Sequence, residues 1–247
     1  SLINRIIIFI IFIFSTTTLF STQLISTGYL QGSSASNIES ELSEFRDTAA
    51  SLLNAGIGEP MNTEFLQFGI NFSYLPFEKK GVLSNSKNSY VPALFDHVSF
   101  NFRNFFALAR FGIIPVKFSK KSDTVFILGG GLGYSIKLPI NGFHPLFINP
   151  SLNFHRLVNS GSFDFFSTSI LVQGGLTIEK VEPYLILGAS VNQLDTNIRI
   201  ANASTGTYYT KTDFQFHLSF GIRILSLYYQ LDILPHESHS FGATIKF

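Results

Sequence analysis

The last seven residues alternate strictly. Phe241, Ala243, Ile245 and Phe247 share one parity; Gly242, Thr244 and Lys246 share the other. Successive side chains on a β-strand point to opposite faces, so this pattern predicts a strand with one apolar and one polar face. The same period runs through most of the chain from Phe65 onward. Leu66, Phe68, Ile70, Phe72 and Tyr74 alternate with Gln67, Gly69, Asn71 and Ser73. Phe214, Phe216, Leu218, Phe220 and Ile222 alternate with Gln215, His217, Ser219, Gly221 and Arg223. Strands of roughly 9–11 residues are long enough to cross a bilayer when tilted.

The turns constrain the topology further. Residues flanking a two-residue hairpin pair with each other and face one side, so the apolar parity must shift across the turn. It shifts at Arg103-Asn104, Glu179-Lys180 and Leu225-Ser226, and Asn141-Gly142 is a strong hairpin signal of its own. Alternating these four turns with longer connections gives ten strands, near 65–75, 94–103, 105–117, 124–140, 143–157, 162–178, 181–194, 211–224, 227–234 and 239–247. Eight strands is the alternative count. The tight turns then lie on one rim. The longer connections, including 76–93 and 195–210, lie on the other. The expected fold is all-β: a closed antiparallel transmembrane β-barrel with one N-terminal helix.

Before Phe65 the period changes. Arg5 followed by the apolar run Ile6 to Phe14 reads as a signal peptide over residues 1–25, because the run is too short for a spanning helix; Leu19, Phe20, Leu24 and Ile25 extend it weakly, which leaves an uncleaved anchor as the alternative. Ser33-Ser34-Ala35 offers the nearest cleavage site. Residues 26–37 read as a Ser/Gly/Asn-rich linker. Ile38, Leu42, Phe45, Ala49, Leu52 and Leu53 recur at helical spacing, which predicts an amphipathic helix over 38–54. Ser36 or Asn37 would cap it, acids load its first turns, and Gly56 and Gly58 end it. Residues 26–64 thus form a linker and helix available as a plug, and 65–247 form the barrel.

Composition supports a membrane setting. Charged residues are only 13% of the chain and aromatics 15%, with 28 Phe, no Trp and no Cys. The absence of Cys excludes disulfides and thiol catalysis. A formal net charge of +1 gives no electrostatic case for nucleic acid. With leader, alternating strands, turn-and-loop asymmetry and aromatic terminus together, the chain resembles a small bacterial outer-membrane β-barrel. That resemblance implies an outer-membrane location, a lipid bilayer as partner, and a barrel-insertion machinery that reads the terminal strand through Phe241, Ile245 and Phe247. It implies no activity.

The polar parity should line the lumen, with Arg110, Lys137, His217, Arg223, Gln230 and Asp232 as its principal groups. Nine glycines of the same parity suggest an under-filled interior, holding water or the helix. The leading functional expectation is a passive narrow channel for small solutes, or a structural barrel, with no catalytic residue, metal or cofactor. The alternative is a surface-binding barrel acting through loops 76–93 and 195–210. A third reading is a hydrolase at the outer rim using Asp96 and His97, with Asp195, Asp213 and Glu237 nearby. Gly129-Gly-Gly-Leu-Gly133 lacks the setting and the Lys-Ser/Thr of a phosphate loop. His236, Glu237 and His239 read as a solvated loop.

Overall fold

A computed structural model describes residues 22–25, 30–32, 37–57, 65–84, 86, 88–118, 123–139, 144–158, 163–200 and 206–246. In chain order the elements are β1 (Thr22–Ile25), β2 (Leu30–Gly32), α1 (Ile38–Asn54), β3 (Leu66–Pro76), a 3-10 turn (Gly81–Leu83), β4 (Tyr90–Phe102), β5 (Phe105–Phe118) and β6 (Asp123–Tyr134). There follow β7 (Ile136–Leu138), β8 (Leu146–Val158), β9 (Phe163–Leu176), β10 (Val181–Ile200), β11 (Thr207–Ile224), β12 (Leu227–Leu234) and β13 (Ser238–Lys246).

Ten antiparallel strands close on themselves. Each long strand pairs with the next, and β13 returns to β3 through Phe241 opposite Phe72 and Ile245 opposite Phe68. β7 continues the line of β6 against β8 after a break at Ser135. Closure satisfies the edge hydrogen bonds that an open sheet would leave unpaired. The tight turns at Arg103-Asn104, Glu179-Lys180 and Leu225-Ser226 join β4 to β5, β9 to β10 and β11 to β12. Their first residues all take left-handed φ values, 56°, 53° and 58°. Asn141-Gly142, residues 1–21, the Ser33–Ala35 site and Phe247 lie outside the described residues.

Inside and outside follow the expected parity over most of the wall. Phe214, Phe216, Phe220, Ile222 and Ile224 on β11 are exposed, while Gln215, His217, Ser219 and Arg223 between them are buried. The outward apolar row ends sharply. Val191 pairs with Phe214, but the next outward pairs toward the loop rim are Gln193 with Thr212, Asp195 with Thr210 and Asn197 with Tyr208. From Phe214 to Ile224, ten residue steps at about 3.4 Å and a tilt of about 45° give an apolar belt about 24 Å tall.

Two long connections differ from expectation. β10 and β11 continue as paired strands to Ile198 opposite Thr207, so most of 195–210 is sheet rather than loop. Above the belt the polarity inverts: Leu194, Thr196 and Ile198 are buried inside, and Gln193, Asn197 and Arg199 are exposed. The 76–93 connection folds into the barrel mouth. Phe77, Val82 and Leu83 are buried there. Gly81 takes φ 51° and lies so close to the Glu41 carbonyl that a Cβ would overlap it.

Candidate functional site

The lumen is filled by α1. Asn37 caps the helix, its Oδ1 accepting from the Glu39 and Ser40 backbone N–H groups at 3.1 and 3.4 Å. The helix enters at the loop rim and descends parallel to β11. Glu39 meets the Tyr209 hydroxyl and, at 3.4 Å, Lys211; Arg46 meets Asp213 at 3.3 Å; Asp47 accepts from Gln215 at 2.8 Å. Seventeen residues give a helix about 25 Å long, so its C-terminus reaches mid-barrel. There Asn54 donates to Ser167 Oγ at 3.0 Å, and Asn71 donates to the Gly56 carbonyl at 3.4 Å.

Helix and wall are amphipathic in matching directions. Leu42, Phe45, Ala49, Leu52 and Leu53 pack on an inward apolar sector formed by Val91, Phe95, Ile114, Val125, Ile127, Leu157, Phe163 and Phe165. Phe45 meets Phe163 edge-on with ring centroids 4.7 Å apart. Burying each Leu or Phe contributes about 1.5–3 kcal/mol, so the apolar face alone is worth several kcal/mol of docking. Strict alternation does not predict this sector. It is visible as runs such as Val125-Phe126-Ile127-Leu128, apolar at both parities, which mark a strand buried on both faces.

Arg110 does the most specific work at this site. The helix has no basic residue in its last turn. Arg110 on β5 supplies the missing cation: Nη1 donates to the Leu53 carbonyl at 3.0 Å and Nη2 to the Ala55 carbonyl. Its guanidinium lies 3.7 Å from the Phe95 ring centroid. A cation on the terminal carbonyls satisfies groups that every helix leaves unpaired and complements the negative end of its dipole.

The remaining lumen groups are also engaged. Arg223 pairs with Glu182 at 3.1 Å. Gln230 and Ser238 each donate to Asp232 at 2.6 Å, and His217 Nε2 lies 2.8 Å from Ser190 Oγ. His217, Gln230 and Asp232 line a small pocket of mixed polarity with Ser51 and Asn54 of the helix and with Ile57, Leu171 and Ile186. Lys137, opposite Phe147 on the short β7, is exposed and joins none of these. The cations therefore do not form a continuous basic lining: Arg110 grips helix carbonyls, and Arg223 is matched by an acid of the wall.

The glycines do not leave empty space. Each of the nine inward glycines sits opposite a larger inward residue on the adjacent strand, including Gly69 opposite His97, Gly133 opposite Phe106, Gly175 opposite Phe147, Gly221 opposite Tyr184 and Gly242 opposite Tyr228. At these five the partner's ring covers the glycine so closely that a Cβ would overlap it. Below the helix, Phe147, Leu171, Tyr184 and Ile186 pack with Ile57.

The rim-hydrolase residues do not converge. His97 is buried inside, while Asp96, the next residue, faces outward between Ile70 and Phe111. Asp96 lies mid-belt, and its Oδ1 is sheltered without a hydrogen-bond partner among the described residues. Among those residues no three His, Asp or Glu groups could hold a metal ion. Glu237 pairs with His239 at 3.2 Å.

Two paired groups at the mouth are strongly displaced: burial and the hydrogen bond to Glu39 push the Tyr209 hydroxyl up to about 12, and Glu39 moves the other way. The Tyr209 hydroxyl, opposed by burial and helped by Arg46 and Lys211, holds the Glu39 carboxyl down at about 2.

No protein-family model matches the sequence, and no curated protein matches it. Among solved structures the chain is similar to the translocator domain of the autotransporter NalP from Neisseria meningitidis, at 9% identity and a TM-score of 0.38, over 84% of this chain and 96% of that one. It is also similar to a bacterial polysaccharide outer membrane secretin, at 10% identity and a TM-score of 0.24, over 76% of this chain and 100% of that one. At those scores the barrel assignment rests on the strand pairing itself.

Proposed function

We propose that this chain is a bacterial outer-membrane β-barrel closed by its own helix, a structural and anchoring barrel rather than an open diffusion pore. The observation that carries the reading is the docked helix: an amphipathic plug whose apolar face, polar face and C-terminal carbonyls each meet a matching wall. The outward belt supports membrane insertion, since about 25 Å is the height expected of the apolar band of an outer-membrane barrel. Residues 1–25 act as the export leader. Phe241, Ile245 and Phe247 present the terminal strand to the insertion machinery; Phe241 and Ile245 both face outward.

A narrow channel for small solutes is the state reached only when the helix leaves. Surface binding through the two long connections has less support. One is folded into the mouth, although the β10–β11 extension raises the exposed Tyr208 above the belt. The test is planar-bilayer conductance of the intact protein beside a chain lacking 38–54, both verified as folded by heat-modifiable gel migration. A silent intact protein and a conducting deletion support the proposal. Steady conductance of the intact protein contradicts it.

A further inference from the structure

The direction of the helix has a consequence for the chain that precedes it. β3 begins at the turn rim, since Leu66 pairs with Phe100 and Gln67 with Lys246 at that end of the barrel. The preceding helix runs the other way along the lumen. Its first turn lies at the loop rim beside Tyr209 and Lys211, and its last turn reaches Arg110 at mid-height. A further pairing places the earlier chain at the same rim. β2 lies parallel to β10 at Ile198, Arg199 and Ile200, beyond the last residue paired to β9. It occupies the overhanging end of a long strand on the loop side.

We propose that the barrel carries its own N-terminal segment across the membrane and holds it on the long-loop face, with α1 as the retained end of the threaded chain. The proposal rests on the membrane-barrel reading above. In that setting the tight-turn rim faces the periplasm, where β3 starts. A chain delivered from that side reaches the observed arrangement only if the residues before Asn37 pass to the opposite face. The lumen has room for that and little more. Ten strands spaced about 4.8 Å and tilted about 40° leave about 20 Å between opposing backbones, which accommodates inward side chains and one helix about 10 Å wide. Within that space the helix is anchored at its trailing end. Arg110 grips the last carbonyls, Asn54 bonds the wall, and Leu52 and Leu53 are buried. Its leading end is held by solvent-accessible ion pairs at the mouth: Glu39, which pairs with Arg46 and Lys211, is 42% exposed in its side chain. This is the distribution expected of a segment pulled through until its amphipathic face locked.

The chain has no cysteine, so single-cysteine accessibility reports each position cleanly. Asn37→Cys and, separately, Ser40→Cys probe the leading end; both residues are exposed. Tyr208→Cys marks the loop rim and Ser226→Cys the turn rim. Intact cells are treated with a membrane-impermeant maleimide, then relabelled after permeabilisation. The expected result is labelling of Asn37→Cys and Ser40→Cys to the level of Tyr208→Cys, at least tenfold above Ser226→Cys. If Tyr208→Cys labels in intact cells while both leading-end variants label only with Ser226→Cys after permeabilisation, the threading proposal is overturned and the barrel reading stands. If Tyr208→Cys and Ser226→Cys show no difference in sidedness, the membrane-barrel reading falls and takes this proposal with it.

Discussion

Arg110→Met isolates the contact that ties the helix to the wall. The substitution keeps an apolar stem against Phe95 but removes both donors from the Leu53 and Ala55 carbonyls. A hydrogen bond from a charged group is worth about 1.5–3 kcal/mol, and a desolvated cation–π contact about 2 kcal/mol. These interactions share one side chain and are not additive, so about 3–5 kcal/mol is a reasonable loss for helix docking. At 25 °C, 3 kcal/mol is a factor of about 150 in the docking equilibrium. The β-ladder lies elsewhere in the energetics: closure depends on backbone pairing around the ring, which Arg110 does not supply. Hydrogen exchange of the folded protein in micelles separates the two. Amides of residues 42–54 should exchange about 100-fold faster in Arg110→Met, while those of β11 and β12 keep their protection. Unchanged helix protection would refute the assignment of Arg110 as the helix anchor. Uniform loss across the strands would show that Arg110 supports the barrel rather than the helix.

Gly221→Val should destabilise the barrel by about 1–3 kcal/mol, because the Tyr184 ring occupies the space of any β-carbon there. Urea unfolding followed by gel mobility measures this, and adding Tyr184→Ala should recover part of the loss. Asp96→Val should raise the urea midpoint by an amount equivalent to about 1–3 kcal/mol, since a carboxyl group whose Oδ1 has no hydrogen-bond partner among the described residues faces the middle of the apolar belt. A destabilised Asp96→Val would mean that this carboxylate has a partner in the membrane. The mouth of the helix should respond to acid. Glu39 has a depressed folded-state value of about 2, so its contribution is fully present above its ordinary value near 4.5 and is lost as pH falls toward 2. Helix-amide protection should therefore be flat from pH 7 to 5 and decline below about 4, and Glu39→Gln should remove that decline.

The ring of ten strands was legible because two independent periodicities agree. Alternation marks each strand, and the parity shift across Arg103-Asn104, Glu179-Lys180 and Leu225-Ser226 fixes where strands reverse. The helix was legible for the same reason, since Leu42, Phe45, Ala49, Leu52 and Leu53 share a face at 3.6-residue spacing. What failed needed knowledge of register or of depth. Gly221 looks like empty lumen until it is known to lie opposite Tyr184, 37 positions earlier in the chain. Leu194, Thr196 and Ile198 continue the alternation of β10, but above the belt water replaces lipid outside, so the apolar parity turns inward. A polar outer row alone looks like loop and hides the inversion. Length alone puts the 76–93 connection at the surface, although Val82 and Leu83 already signal burial. Parity puts Arg110 in the lumen. Its actual partners are backbone carbonyls, which carry no sequence signature.

A short thiol-reactive cross-linker tests directly whether α1 occupies the lumen. In the cysteine-free chain, Asn54→Cys and Ser167→Cys place one thiol on the helix and one on the inner face of β9, where the native side chains are 3.0 Å apart. A bis-methanethiosulfonate spanning about one residue should join them nearly quantitatively in the membrane-inserted protein, and prior denaturation should abolish the reaction. A folded barrel that yields no cross-link would place the helix outside the lumen.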